Sequence, residues 1–190
     1  MVAWLVSNCN TSSNREVYVK ELQKYIDIDV YGKCGDLNRT KAVQGNIRKM
    51  FEQNYKFYLA FENSLCEDYV TEKLFETLNY YLVPVVMAGA DLENLAPPNS
   101  YIDVRNFPHP EKLANFLFEV ASNETKYLSY FEWKDTHSVV WTNLMCDLCK
   151  YISENWNKTE VLNMDEFWSR DLHCMSGEKF LKEHLKTSAQ

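Results

Sequence analysis

Arg15 and Lys73 are two cations at positions where helices are predicted to begin. Residues 57–73 read FYLAFENSLCEDYVTEK, an apolar run followed by a polar turn and then by Glu72 and Lys73 at the opening of a helix. Because the amino end of a helix is the positive end of its dipole, a lysine there is unfavourable unless an anion lies nearby. The free N–H groups at that end also bind phosphate. The position of Lys73 therefore predicts a bound phosphate.

The elements that must position these residues alternate between strands and helices. Apolar runs predict strands at residues 2–6, 28–31, 57–61 and 83–87. Amphipathic patterns predict helices between them, one starting from a capping box at residues 13–16 and two others at 40–53 and 69–81. A further strand at 101–104 and helices at 111–120, 125–133 and 141–156 follow. This order predicts a parallel sheet with helices on both faces.

Polar side chains follow two of the predicted strands. The loop after the first strand supplies Ser7, Asn8 and Arg15, and the loop after the third supplies Asn63, Tyr69, Glu72 and Lys73. Ligands of such sheets bind beyond the carboxyl ends of the strands. Two separate helix starts are therefore predicted to bring a cation each to the same edge.

Composition and charge restrict the class of function. A chain of 190 residues with 46% hydrophobic and 14% aromatic residues is typical of one globular domain with a tail. The net charge of −7 and the lack of a lysine and arginine cluster argue against nucleic acid as a partner. No apolar run reaches the roughly eighteen residues of a membrane span, and residues 1–8 lack the features of a signal peptide. Because the chain begins directly before a predicted strand, we expect a fragment of a longer protein, with any membrane anchor upstream.

The six cysteines indicate disulfides in an oxidising environment. Cys9 and Cys34 follow neighbouring predicted strands, which favours a local pair, whereas Cys66 and Cys174 have no predicted partner. The string from Cys146 to Cys149 lacks the second CxxC or the pair of histidines that a zinc site needs. Four glycosylation sequons agree with a secretory environment, at Asn10, Asn38, Asn123 and Asn157.

Several strings carry a resemblance to a known family. In order along residues 2–150 they are VSNCN, NREVYVKELQKYIDIDVYGKCG, YKFYLAFENSLCEDYVTEKLFETL, VPVVM and SYIDVRNFPHPEKLANFL, followed by YLSYFEWK. They resemble the donor-binding half of α1,3-fucosyltransferases. The resemblance implies an α/β fold, a Rossmann-like doubly wound parallel sheet that forms the carboxyl-terminal half of a GT-B glycosyltransferase. Residues 1–150 would be the GDP-fucose-binding domain, and residues 151–190 a tail packing on the amino-terminal domain.

For the site, the resemblance implies transfer of fucose from GDP-β-L-fucose, with inversion, to the 3-hydroxyl of a GlcNAc in a glycan. Arg15 would hold the diphosphate in a forked contact, and Lys73 would act on it as a point charge. Glu72 would accept a hydrogen bond from a ribose hydroxyl or face the positive charge that grows on the fucosyl ring. The nucleoside, the sugar and the floor beneath the phosphates would be contacted by Tyr58, Asn63, Tyr69, Ser7 and Asn8. For Tyr58, a place in the hydrophobic core is an equal alternative.

No metal or other cofactor is required on this resemblance, because the two cations stabilise the departing diphosphate. A divalent ion would at most stimulate the reaction. Asp27 and Asp29 have the D-x-D spacing with which other glycosyltransferases hold a manganese–diphosphate complex. They stand at the start of a predicted strand, whereas ligands gather at the other end, so no metal site is predicted there.

The family places the general base and the acceptor site in its amino-terminal domain. We therefore expect this chain to supply the donor site only and to be inactive alone. The family also implies the lumenal side of the Golgi membrane, a type II anchor outside this chain, and disulfides from Cys146 and Cys149 to the amino-terminal domain. Two acceptors stay open, the innermost GlcNAc of an N-glycan and a Lewis-type GlcNAc. The strings NCN and YGKCG slightly favour the first. Two other classes stay open: a non-catalytic nucleotide-sugar-binding module or inactive paralogue, and a secreted interaction domain held by disulfides.

Overall fold

The computed structural model describes residues 1–35, 47–140, 144–159, 161, 163–167 and 173–185. Its strands are β1 (Val2–Leu5), β2 (Ile28–Tyr31), β3 (Phe57–Phe61), β4 (Leu65–Cys66), β5 (Val83–Met87), β6 (Ile102–Asp103) and β7 (Cys174–Met175). Its helices are α1 (Arg15–Leu22), α2 (Ile47–Asn54), α3 (Glu72–Leu78), α4 (Pro110–Ser122), α5 (Glu124–Leu128), α6 (Leu144–Glu154), α7 (Met164–Phe167) and α8 (Gly177–His184).

A parallel sheet has the strand order β2-β1-β3-β5-β6. β3 and β5 are buried at every residue, because their apolar sequences, FYLAF and VPVVM, face helices on both sides. From β1 the chain passes to β2 on one side and then crosses to β3 on the other. This is the switch point of a doubly wound sheet, beyond which ligands bind. The structure confirms the predicted parallel sheet.

Hydrophobic layers cover both faces of the sheet. Leu59 and Phe61 belong to a layer that includes α1 and α4, whereas Tyr58 and Ala60 belong to a layer that includes α2 and α3. Because successive side chains of a strand point to opposite faces, β3 contributes to both layers. The predicted placement of helices on both faces is therefore confirmed.

The starts of the two helices at the predicted site differ from expectation. α1 begins without the predicted capping box: Asn14 is its N-cap, with a φ of 53° and no side-chain capping bond. Ser13 Oγ donates instead to the carbonyl of Glu62 (2.8 Å). α3 begins at Glu72 and not at residue 69, because a turn with Asp68 at a φ of 56° precedes it.

Other predicted elements shift by a few residues. The helix predicted at 40–53 lies partly outside the described residues, within which α2 covers Ile47–Asn54. The strand predicted at 101–104 shortens to β6 and continues as a 3-10 helix at Val104–Asn106. The helix predicted at 125–133 divides into α5 and a 3-10 helix at Ser129–Asp135.

The C-terminal segment 173–185 packs on the sheet domain itself. β7 pairs antiparallel with β4, and a disulfide joins Cys66 to Cys174. Phe180 of α8 is 2% exposed and lies 6.0 Å from the ring of Tyr18. The aromatic ring of Phe180 thus completes the core of this domain, and packing of the tail on an amino-terminal domain stays a prediction. The domain boundary at residue 150 stays a prediction.

The remaining cysteines divide into a bonded pair and a free pair. The predicted disulfide between Cys9 and Cys34 is confirmed. Cys146 and Cys149 on α6 are free and exposed, and their pairing with an amino-terminal domain stays a prediction. Within the described residues, no helix is both long and apolar enough to cross a bilayer.

Candidate functional site

The candidate site lies at the carboxyl ends of β1 and β3, where the loops that lead into α1 and α3 meet. The Ser13 N–H donates to the carbonyl of Asn63 (3.0 Å), and the Oγ atoms of Ser12 and Ser64 are 2.8 Å apart. Ser13 Oγ also donates to the carbonyl of Glu62. These bonds join the loop after β1 to the loop after β3, so the predicted meeting of two helix starts at one edge is confirmed.

Lys73 has an anion within the protein. Its Nζ donates to Oε2 of Glu62 (2.9 Å) and to Oγ1 of Thr71 (2.6 Å), and it lies 3.5 Å from Oε1 of Glu72. The side chain of Lys73 is 17% exposed and that of Glu62 is 1% exposed. The lysine charge is thus balanced internally, which corrects the inference that its position alone requires a phosphate. Two of its three N–H donors bond to Glu62 and Thr71, and the exposed carboxylate of Glu72 is the nearest partner for the third.

Glu62 and Thr71 are missing from the site residues that the sequence predicts. Oε1 of Glu62 accepts hydrogen bonds from the backbone N–H and from Oγ1 of Thr71, both at 2.9 Å. A carboxylate this deeply buried is stable only with such partners and an opposite charge. The available signal is a charged residue directly after a wholly apolar strand. A carboxylate at such a position needs hydrogen bonds and an opposite charge from elsewhere in the fold.

Arg15 is buried and is bonded to the backbone. It is 3% exposed; its Nη1 donates to the carbonyl of Phe61 (2.6 Å) and its Nη2 to that of Asn8 (3.1 Å). Its Nε is buried without a partner. Burial lowers the pKa of the guanidinium below its ordinary value, although the charges of Glu16 and Glu62 act in the opposite direction.

The predicted forked contact of Arg15 with a diphosphate stays a prediction. The carbonyls of Phe61 and Asn8 each accept one bond, from Nη1 and Nη2, which leaves three of the five N–H donors of the guanidinium, the buried Nε–H among them. Among the described residues no carboxylate lies within salt-bridge distance of Arg15. Its charge is therefore less fully neutralised than that of Lys73.

The other predicted residues lie around this centre. Ser7, Asn8 and Glu72 are exposed, whereas Asn63 and Tyr69 are half-buried. Burial acts to raise the pKa of the Glu72 carboxyl, but the charge of Lys73 and hydrogen bonds at the helix start outweigh it and lower the pKa. Oδ1 of Asn63 is buried without a partner. The contacts of these residues with a ligand stay predictions.

Tyr58 lies in the core. It is 1% exposed, because the alternation along β3 points its ring towards α2. The ring stacks on Phe51 with centroids 5.8 Å apart, and the guanidinium of Arg48 lies 4.1 Å from the ring centroid. Burial raises the pKa of its hydroxyl above the ordinary value. Of the two interpretations, the structure supports the core position, and a contact of Tyr58 with nucleoside or sugar stays a prediction.

A cleft of about 300 Å³ opens farther along the same edge, beyond β4 and β5. Its lining includes Leu65, Gly89, Arg105, His173 and Lys179. Arg105 is paired there with a carboxylate, that of Asp103, through bonds of 2.6 and 2.8 Å. None of the site residues predicted from the sequence lines this cleft.

Asp27 and Asp29 are both exposed at the start of β2, away from the candidate site. The carboxylate of Asp29 accepts a hydrogen bond from the hydroxyl of Tyr55. In the part of the chain that the structure describes, no group of three or more His, Cys, Asp or Glu could hold a metal ion. Independence from metal stays a prediction.

Residues 1–168 match the family described as glycosyltransferase family 10 (fucosyltransferase), C-terminal. The chain belongs to this fucosyltransferase family. This fucosyltransferase chain is 44% identical over 168 residues to α-(1,3)-fucosyltransferase C of Drosophila melanogaster, covering 87% of the chain and 39% of that relative. It is 31% identical, over an alignment 224 residues long, to GDP-fucose protein O-fucosyltransferase 3 of Xenopus tropicalis. That alignment covers 99% of the chain and 48% of that relative.

The fold of this fucosyltransferase chain is also that of solved structures. It superposes with a TM-score of 0.64 and 17% identity on a crystal structure of an α1,3-fucosyltransferase with GDP-fucose, covering 85% of this chain and 48% of the other. At that identity the similarity shows the fold, and it confirms the prediction of one half of a GT-B glycosyltransferase. The chain spans less than half the length of each of these proteins.

Proposed function

We propose that this chain is the donor-binding half of an inverting α1,3-fucosyltransferase, which transfers fucose from GDP-β-L-fucose to the 3-hydroxyl of a GlcNAc in a glycan. The observation that carries the proposal is the position of Arg15 and Lys73 at the switch point of the sheet, in a chain of a fucosyltransferase family. Switch points are where doubly wound sheets bind nucleotides. The solved relative with GDP-fucose supports the choice of donor.

Lys73 binds the diphosphate with its third N–H donor, which exchanges the long contact with the exposed Glu72 (3.5 Å) for the ligand and leaves the bonds to Glu62 and Thr71 in place. Those bonds hold the ammonium in place before the ligand arrives, so the donor binds without reorganising it. As the bond to the fucosyl carbon breaks, negative charge grows on the leaving diphosphate, and a fixed cation stabilises that state more than the ground state.

Arg15 acts from beneath the site. Its buried guanidinium is a positive charge in surroundings of low dielectric, where its attraction for an anion is stronger than in water. The bonds to the Phe61 and Asn8 carbonyls fix its position. Two cations then replace the metal ion that other glycosyltransferases use, so no cofactor is required and a divalent ion is at most stimulatory.

Exposed polar groups around the two cations orient the donor. Glu72 faces the ribose or the fucosyl ring, and the half-buried Asn63 and Tyr69 contact the nucleoside or the sugar. Asn63 supports such a role, because its buried Oδ1 has an acceptor site free among the described residues. Ser7 and Asn8, exposed at the end of β1, lie beneath the phosphates.

The acceptor site and the general base belong to a second domain on this proposal, since a sugar hydroxyl needs a base to become a nucleophile. The isolated chain therefore does not transfer fucose at a useful rate. The enzyme as a whole acts on the lumenal side of the Golgi membrane. The two disulfides support an oxidising compartment of this kind.

Calorimetric titration of the chain with GDP, GMP and GDP-mannose tests the donor site. GDP is expected to bind, and Lys73→Met is expected to weaken binding by about tenfold or more, because a hydrogen bond between charged groups is lost. Lys24→Met is the matched control, because Lys24 lies at the surface just after α1 and pairs there with Glu21. Equal affinity in the wild type and in both variants contradicts the proposal.

A chimera tests the activity. The chain replaces the matching segment of the Drosophila melanogaster α-(1,3)-fucosyltransferase C, its 44% identical relative. We expect the chimera to transfer fucose to the acceptor of its host, and Lys73→Met in the chimera to lower kcat. A folded chimera that binds GDP but transfers nothing supports the non-catalytic module instead.

A second candidate is transfer of fucose to a hydroxyl of a protein. The observation that favours it is coverage: the Xenopus tropicalis protein O-fucosyltransferase 3 aligns with 99% of the chain, against 87% for the Drosophila enzyme. The same replacement in that relative, assayed for transfer to a protein acceptor, distinguishes the two. Activity in the second chimera alone favours the protein acceptor.

A further inference from the structure

The segment 173–185, here called the C-terminal clasp, contacts both loops that carry the candidate site. At its start the carbonyl of His173 accepts a hydrogen bond from the N–H of Glu67 (2.8 Å). The disulfide between Cys66 and Cys174 follows, and β7 pairs with β4 beside it. The loop after β3, which also carries Glu62, is therefore covalently tied to the clasp.

Gly177 ties the clasp to the other loop. Its N–H donates to the carbonyl of Ser12 (3.0 Å). A Cβ atom at Gly177 would lie 2.4 Å from the carbonyl carbon of Ser13 and 2.7 Å from the Ser12 oxygen, so only glycine fits there without a shift of backbone. Ser13 is two residues before Arg15 and bonds to the carbonyls of Glu62 and Asn63. A displacement at Gly177 thus reaches both site loops.

α8 anchors the clasp in the core. The ring of Phe180 packs against that of Tyr18 on α1, the helix that Arg15 begins. Nδ1 of His184 donates to the carbonyl of Phe107 (2.9 Å), which fixes the far end. The clasp is thus held at both ends, with Gly177 pressed against the loop before α1.

We propose that the C-terminal clasp is a positioning element of the donor site. Through the Cys66–Cys174 disulfide and through Gly177, it holds the loops before α1 and after β3 together, and with them the charges of Arg15, Glu62 and Lys73. This inference rests on the proposed function for the ligand, a nucleoside diphosphate. Small displacements of charged groups in a preorganised site change affinity or rate by large factors. The clasp therefore sets the affinity of the site for GDP.

Two variants separate the two contacts of the clasp. The double variant Cys66→Ala/Cys174→Ala removes the covalent tie, and Gly177→Ala keeps the disulfide but pushes on the loop before α1. Asn123→Ala is the matched control: it removes an N-cap bond from the Lys126 N–H (3.0 Å) and weakens α5, which is not part of the clasp. Leu92→Ala, a core truncation in another part of the fold, controls for loss of stability alone.

Two measurements are made on each protein well below its melting temperature. Hydrogen exchange followed by mass spectrometry measures the exchange rates at residues 11–18 and 61–66, which include the two loops, and needs no ligand. GDP titration reports affinity. We expect both clasp variants to exchange faster in both loops and to bind GDP about tenfold more weakly, whereas Asn123→Ala and Leu92→Ala match the wild type in both measurements.

Unchanged exchange at residues 11–18 in the clasp variants overturns the proposal, and so does GDP affinity equal to that of the controls. If the clasp variants loosen both loops but the wild type binds no GDP, the proposed function fails and the positioning of the loops stands. If GDP binds to the wild type and Lys73→Met weakens it while the clasp variants bind normally, the proposed function stands and this inference fails.

Discussion

Removal of the charge on Lys73 is expected to destabilise the fold as well as the site. Lys73→Met keeps the length of the stem but leaves the carboxylate of Glu62, which is 1% exposed, without its opposite charge. Breaking a buried ion pair in this way costs about 3–5 kcal/mol. Two features reduce the figure here: Lys73 is 17% exposed, and Glu62 keeps both hydrogen bonds from Thr71. We expect a loss of about 2–3 kcal/mol in the free energy of unfolding.

Urea denaturation followed by circular dichroism measures this loss. For a domain of this size it corresponds to a fall in Tm of about 4–12 °C. Lys24→Met, which removes a lysine from an exposed pair with Glu21, is expected to leave stability unchanged. A double variant sharpens the test: Glu62→Gln in the Lys73→Met background removes the uncompensated charge and should restore part of the lost stability. If Lys73→Met costs no more than Lys24→Met, or if Glu62→Gln lowers its stability further, the pair does not work as argued.

Further predictions concern other parts of the fold. Burial raises the pKa of Tyr127 to about 12. Its neutral form therefore stabilises the fold fully below the ordinary tyrosine pKa, and this contribution is lost as the pH rises towards 12. Tyr127→Phe, which cannot ionise, should lose less stability than the wild type between about pH 10 and pH 12. Phe180→Ala empties a site that is 2% exposed and should lower the free energy of unfolding by about 3–5 kcal/mol in urea denaturation; an unchanged midpoint would show that the clasp does not contribute to the core. A thiol reagent should modify Cys146 and Cys149 in the native chain, and the remaining cysteines only after reduction.

The central strands are the part of the fold that the sequence predicts best. β3 and β5 begin and end at the predicted residues, because a short uninterrupted apolar run leaves a buried parallel strand as the simplest structure. The meeting of the loops after β1 and β3 also follows from the order of elements, since parallel strands end at one edge. These features depend on local patterns and on rules of connection.

The partners of the site residues could not be predicted in the same way. Lys73 pairs with Glu62, which is 11 positions earlier, and this pairing depends on where a turn sends the chain between them. That turn moves the start of α3 from residue 69 to Glu72. The capping box at Ser13 failed for a similar reason, because the hydroxyl donates to a carbonyl on the loop after β3 and accepts only a long bond (3.4 Å) from the N–H of Arg15. Tertiary hydrogen bonds decided each case.

The disulfides show the same division between local and distant information. Cys9 and Cys34 are 25 positions apart and follow adjacent strands, so the fold itself brings them together. Cys66 and Cys174 are 108 positions apart, and the sequence near Cys174 has no periodicity that predicts β7 or the return of α8 to the core. The burial of Phe180 against Tyr18 brings this segment back to the core and so brings Cys174 close to Cys66.

The two cations of the site meet different physical requirements. A lysine side chain has about 2 kcal/mol of rotamer entropy to lose, so a free Lys73 would have to be ordered at the moment the diphosphate binds. Glu62 and Thr71 order it beforehand, at the cost of neutralising much of its charge. Arg15 is ordered by carbonyl groups instead, which hold the guanidinium without neutralising it. On the proposed function the two cations therefore have separate roles, since Arg15 supplies most of the net positive field and Lys73 supplies a donor at a fixed point. Because a buried ion pair adds little stability of its own, we infer that the value of Glu62 to the enzyme lies in fixing Lys73 before GDP-fucose arrives.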